Sequence, residues 1–132
     1  MDDKTNVKAR ELPLSAYGFI HGADAPVQKV TKIEGTDWQG EVLVKPLMVG
    51  REMLMIEVHR KAGMVDPKHA HPDHESICYL VKGRVRCHIG DEVFEAVPGD
   101  TWIHPRGVPH WHETIEDCVQ LEVKSPPRKT WG

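Results

Sequence analysis

Residues 63–83, GMVDPKHAHPDHESICYLVKG, hold Gly63, His69, His71, Ser76 and Gly83, and residues 99–114, GDTWIHPRGVPHWHET, hold Gly99, Pro105, Gly107 and His110. On a strand the side chains alternate between faces, so His69 and His71 share a face and their ring nitrogens can meet one ion. Ser76 opens the following strand and can face inward with them. In the second stretch Pro105-Arg106-Gly107 makes a tight turn that delivers His110 to the start of another strand. The chain has nine histidines, and six of them fall within residues 69–74 and 104–112. Metal ligation is the chemistry that needs several imidazoles at one point.

Working outward, the sequence from Val27 onward is a series of short runs rich in Val, Ile, Leu and Met, each closed by Gly, Pro or Asp. This punctuation predicts strands at 27–33, 41–48, 53–59, 76–81, 84–89, 92–97, 101–104 and 119–123, with no helix of normal length between them. Gly90-Asp91 between alternating runs is a hairpin turn, and Pro98-Gly99-Asp100 is a further turn. Many short antiparallel strands predict an all-β sandwich or closed barrel. Residues 1–26 are polar, with scattered Pro and Gly, and read as an irregular N-terminal arm that docks on a partner subunit. Residues 27–132 then form a single domain, as the length of 132 residues suggests.

A net charge of −3, with both signs interspersed, gives no reason to expect nucleic acid or an anionic membrane as partner. A small-molecule substrate is the expected partner. The first ten residues, MDDKTNVKAR, lack an apolar stretch of the signal-peptide kind, and no later run is long enough to span a bilayer, which predicts a cytoplasmic protein. Cys78, Cys87 and Cys118 have no C-x-x-C spacing and read as small buried hydrophobes rather than disulfide partners or zinc ligands. Trp38, Trp102, Trp111 and Trp131 read as packing residues.

The paired glycines and histidines of residues 63–83, together with Gly99, Pro105, Gly107 and His110, resemble the two motifs of the cupin superfamily, over roughly residues 41–123. The resemblance implies a small single-domain cupin, a double-stranded β-helix or jelly-roll barrel, with one divalent metal ion on His69, His71 and His110. It also implies a homodimer. The family usually places Glu, Gln or a further His where Ser76 stands. Ser76 is a poor ligand, and Glu75 is an alternative if a bulge at Asp73 re-aims it. Fe(II) is the first expectation for the ion, with Mn, Ni, Zn and Cu as alternatives.

His112, two residues beyond His110, shares its face and is a candidate general acid or base. His74 and His104 lie beside a loop and a proline and are expected at the surface. The tail from Leu121 to Arg128 is similar to that of small pectin-degradation cupins that linearise unsaturated uronates. Carried over, Glu122 is the acid and Arg128 the carboxylate clamp, although Lys124 replaces that family's aromatic residue and Ser76 its metal-binding Gln.

Three neutral imidazoles leave the ion's charge uncompensated and favour an anionic, chelating substrate. Among cupins such a site resembles that of non-haem iron dioxygenases acting on dicarbonyl, enol or phenol-type compounds, which is the first expectation for function. A metal-dependent isomerase or lyase acting on a sugar acid or related acid is the second, and a non-catalytic ligand-binding module the third.

Overall fold

The computed structural model describes residues 10–38 and 40–131. Its described residues form nine strands: β1 (Gln28–Lys29), β2 (Lys32–Ile33), β3 (Thr36–Asp37), β4 (Val42–Val49), β5 (Leu54–Arg60), β6 (Glu75–Ile89), β7 (Glu92–Ala96), β8 (Thr101–His104) and β9 (His110–Ser125). No helix among the described residues is long and apolar enough to cross a membrane.

Seven strands form one sheet in the order β1-β4-β5-β9-β6-β7, with β8 added on the first half of β6, and β2 and β3 form a separate hairpin. All pairings are antiparallel. The long strands β6 and β9 run side by side from the Glu75–Ser125 pair to the Ile89–His110 pair. Each changes its outer neighbour along the way. The first half of β6 pairs with β8 and the second with β7, while the second half of β9 pairs with β5 and its first half bridges to Val65 and His69. A sheet that swaps neighbours in this way folds over on itself and encloses a core, as a jelly roll does.

Three expected boundaries are corrected. The runs 76–81 and 84–89 are one strand, because the register shifts between Leu80 and Val85 act as a bulge rather than a turn. The inward set changes there from Ser76, Cys78 and Leu80 to Val85, Cys87 and Ile89. The last strand begins at His110 rather than at residue 119, and the expected single strand at 27–33 is divided into β1 and β2.

The core forms two clusters among the described residues. One holds Cys78, Leu80, Val85, Cys87, Ile89, Ala96, Trp102 and Cys118. The other holds Val30, Val42, Val44, Leu54, Ile56, Val58 and Trp131. The three cysteines are free and buried, as expected of small hydrophobes. Between the clusters the inward face of β9 is polar, with His110, His112, Thr114, Gln120, Glu122 and Lys124 all buried. The apolar residues that alternate with them face outward, and in register Met55, Val123, Ile77 and Ile103 make one row across four strands.

Gly83 is where β6 crosses closest to β9. Its φ is +93°, and a Cβ there would lie 2.3 Å from the Asp117 carbonyl oxygen and 2.7 Å from the Cys118 Cβ. Both the left-handed backbone and the backbone contact oppose a side chain. Gly83→Ala is expected to cost about 3 kcal/mol or more in denaturant unfolding. A loss below about 0.5 kcal/mol, the range of an ordinary surface change, would contradict this account of the bend.

Candidate metal centre

The two histidine-bearing segments meet through their backbones. His69 and His110 exchange both main-chain hydrogen bonds, at 3.0 and 2.8 Å, which places the loop before β6 against the first residue of β9. His71 follows two residues on, and its ring centroid lies 5.2 Å from that of His69 and 4.7 Å from that of His110. One ring nitrogen from each of His69, His71 and His110 lies within 4.8 Å of the others, close enough to hold a metal ion.

The hydrogen bonds around these rings fit such an ion. His69 donates its Nδ1–H to the Pro67 carbonyl at 2.7 Å, and His110 donates its Nδ1–H to the Val108 carbonyl at 3.1 Å. Each bond fixes the tautomer and leaves Nε2 with a free lone pair. The Nε2 of His110 is buried with no partner, a deficit that an ion would remove. Burial pushes His69 down to about 4 and His110 to about 3, and it pushes His71 far below its ordinary value. All three are therefore neutral at physiological pH, the form that ligates metals.

A second group, His71, His104 and Glu122, also has ligand atoms within 4.8 Å of one another. Two of its members, His104 and Glu122, are already engaged. His104 Nδ1 is 2.8 Å from Ser76 Oγ, while its Nε2 meets Trp102 Nε1 at 3.1 Å and His112 Nε2 at 3.0 Å. Glu122 accepts hydrogen bonds from Gln120 at 3.0 Å and Lys124 at 2.6 Å. The first group, with its unpartnered nitrogen, is the better metal centre.

The expectation that His74 and His104 lie at the surface is overturned, since their relative exposures are 0% and 1%. The strand phase of β8 turns Trp102 and His104 inward together, and Asp73 holds His74 at 3.1 Å. Ser76 does face inward as its phase implied, and its hydroxyl is spent on His104. Glu75 is exposed on the opposite face of β6. His112 donates its Nδ1–H to Asp66 at 2.6 Å, so its other nitrogen is directed at His104.

Sequence reasoning named Glu122 but missed the rest of the charged wall beside these histidines. Asp66, 3.5 Å from Arg60, opens a buried chain that runs from Arg60 to Gln120 at 2.6 Å, then to Glu122 and Lys124. Burial alone would raise both carboxylates. Arg60 and His112 hold Asp66 well below the usual range, and Lys124, with lesser help from His104 and Arg60, does the same for Glu122. The alternation Gln120-x-Glu122-x-Lys124 was the available signal. Arg60, Asp66, Glu122 and Lys124, with the five histidines 69, 71, 104, 110 and 112, line one small cavity of about 50 Å³, whose other side is formed by Val30, Ile33 and Trp131. Arg128 is not among its lining residues: it bonds Asp73 through Nε at 3.0 Å and the Pro127 carbonyl at 2.7 Å.

The comparisons agree with this architecture. The cupin-domain family model, Cupin_2, matches residues 56–123, more than half of the chain. Oxalate decarboxylase OxdC of Bacillus subtilis (strain 168) is 26% identical over 95 residues, which are 68% of this chain and 24% of that protein. The chain thus spans about a quarter of the length of this curated relative. Among solved structures, an RmlC-like cupin from Shewanella frigidimarina NCIMB 400 superposes with a TM-score of 0.72 at 18% identity, covering 84% of this chain and 92% of that one. KdgF from Halomonas sp. gives 0.71 at 22% identity, covering 83% and 94%. The polyketide cyclase RemF from Streptomyces resistomycificus gives 0.70 at 21%, covering 85% and 81%. At these identities the structural likeness speaks to fold alone, and with the family match it leads to one conclusion: the chain belongs to the cupin family.

Proposed function

We propose that this cupin is a metal-dependent enzyme that moves a proton on, or cleaves, a small carboxylic acid, with Glu122 handling the proton and Lys124 the substrate's charge. The observation that carries the reading is the Glu122–Lys124 pair. Both side chains are buried, at 5% and 1% relative exposure, and both line the cavity on which His69, His71 and His110 converge. A buried ion pair is poor evidence of stabilisation, because apolar residues of similar volume serve a core equally well. Next to a cluster of metal-ligating imidazoles it is better explained by chemistry.

The ion held by the three histidines would supply Lewis acidity, polarising an oxygen of the acid. Lys124 presents an ammonium to a substrate carboxylate, and as that carboxylate takes over the ammonium the ionised Glu122 is freed to accept a proton. Trp102 donates its Nε1–H to His104 Nε2 and Ser76 meets His104 Nδ1, which fixes the His104 ring, while Asp66 orients His112 beside it. A cavity of about 50 Å³ suits an acid of few atoms. The name of the relative oxalate decarboxylase supports the same substrate class. One observation favours the dioxygenase reading instead: the best ligand set is three neutral imidazoles without a carboxylate, as in the iron dioxygenases that the sequence resembles.

One experiment separates the two. Protein loaded with Zn(II) or Mn(II) under nitrogen is expected to turn over small oxo-, hydroxy- or dicarboxylic acids. Glu122→Gln is expected to lose about 100-fold or more in turnover while keeping its metal content. Activity that appears only with Fe(II) and oxygen would establish the dioxygenase instead, and binding without turnover would establish a ligand-binding module.

The buried imidazoles also set a pH dependence. In the folded chain His69, His74 and His110 protonate only near 4, 4 and 3, whereas the unfolded chain takes up those protons near 6.5. Below 6.5 the unfolded state therefore binds more protons, and stability falls as pH falls, by about 1.4 kcal/mol per pH unit for each such histidine. The melting temperature of metal-free protein is expected to drop steadily from pH 6.5 towards 4. A flat profile over that range would contradict the burial of neutral rings.

A further inference from the structure

We infer that Glu34 is the positioning residue of the metal centre: its Oε2 accepts the Nδ1–H of His71 and so presents the other ring nitrogen, Nε2, to the ion. The inference rests on the metal reading of His69, His71 and His110.

The first support is the pattern of the other two ligands. His69 and His110 each tie Nδ1 to a backbone carbonyl, which leaves Nε2 for the ion. His71 has no such tie. Its Nδ1 is buried without a partner, and the atom it faces, 3.9 Å away, is Glu34 Oε2, which is also buried without a partner. A donor and an acceptor, each orphaned and each facing the other, are resolved together by a small rotation of either side chain. With that bond made, all three rings direct Nε2 at one point and are held from behind at Nδ1, as metal-binding histidines usually are.

The second support is the backbone at Glu34. It lies in the two-residue turn between β2 and β3, where Glu34 has φ +48° and Gly35 φ +79°. Positive φ at both central residues is the mirror-image hairpin turn, which favours Asn, Asp or Gly at its first position. Glutamate is the only non-glycine residue with positive φ among the described residues. An unfavourable conformation kept at a site that aims a carboxylate inward points to function.

The third support is how the carboxylate is held. Its side chain has 0% exposure, and Arg10 engages the other oxygen, Oε1. Arg10 also pairs with Asp73 at 3.2 Å, and Asp73 in turn takes Arg128, so the N-terminal arm and the C-terminal tail both brace the turn. The geometry leaves Oε2 without a hydrogen-bond partner and facing His71 Nδ1.

Long-range ¹H–¹⁵N NMR of the His71 ring in metal-free protein tests the pairing directly. Wild type is expected to show the Nδ1–H tautomer, and Glu34→Ala a mixed or Nε2–H ring. Zinc affinity, measured by competition with a chromogenic chelator, should fall about 10- to 100-fold in Glu34→Ala. Glu34→Gln, should the alanine variant not fold, is expected to move both readouts in the same direction. Arg10→Gln, which weakens the brace but keeps the carboxylate, should lower the melting temperature and leave the His71 tautomer unchanged. An Nε2–H ring in wild type, or an unaltered tautomer and zinc affinity in Glu34→Ala, would overturn the inference. Wild-type protein that binds no zinc would overturn the metal reading, whereas the NMR result bears on Glu34 alone.

Discussion

The antiparallel pair of β6 and β9 is the constraint on which the rest of the molecule depends. Its hydrogen bonds run from Glu75 and Ser125 to Ile89 and His110, and β5, β7 and β8 are each attached to one of the two. The pair has to bend to enclose a core, and the register shifts around Gly83 are where it does so. The bend determines which residues look inward. Before it, Ser76 and Cys78 face the same space as Glu122 and Lys124; beyond it, Cys87 and Ile89 stand opposite His112 and His110. The exchange of backbone hydrogen bonds between His69 and His110 then brings the loop before β6 to the same end. The metal centre is thus a consequence of strand pairing.

The interior carries more polarity than stability alone would select. Arg60 with Asp66, Glu122 with Lys124, and the buried rings of His71, His74, His104, His110 and His112 all occupy space that aliphatic side chains would fill at lower risk. Almost every one of these groups is matched to a partner, so the arrangement is a connected network rather than a set of isolated charges. The few unmatched atoms are informative for that reason. His110 Nε2 is left free for an ion that the three rings could hold, and His71 Nδ1 and Glu34 Oε2 face each other.

Much of this was legible in the sequence. The period of two relating His69 to His71, the Pro-Arg-Gly turn before His110 and the Gly90-Asp91 hairpin follow from local chemistry, and the all-β barrel follows from the spacing of its turns. What escaped reading has physical causes. Val119, Leu121 and Val123 look like the core-facing set of the last strand, yet they face outward and Gln120, Glu122 and Lys124 face in, because a functional interior inverts the usual alternation. Lys82-Gly83 looks like a turn, and only the close approach of Asp117 shows it to be a bulge within one strand. His74 and His104 have loop and proline neighbours, and their burial depends on tertiary pairing that no local pattern encodes. Glu34 lies in a hairpin turn, and its place beside His71 and its pairing with Arg10, distant in sequence, follow from tertiary contacts alone.

The central claim is that one ion sits among His69, His71 and His110. Anomalous diffraction from crystals grown with Zn(II) or Mn(II), recorded at the metal's absorption edge, tests it most directly. The account predicts a single strong peak within bonding distance of one nitrogen from each of these three rings. A peak between His71, His104 and Glu122 instead, or none at full metal loading, would contradict it.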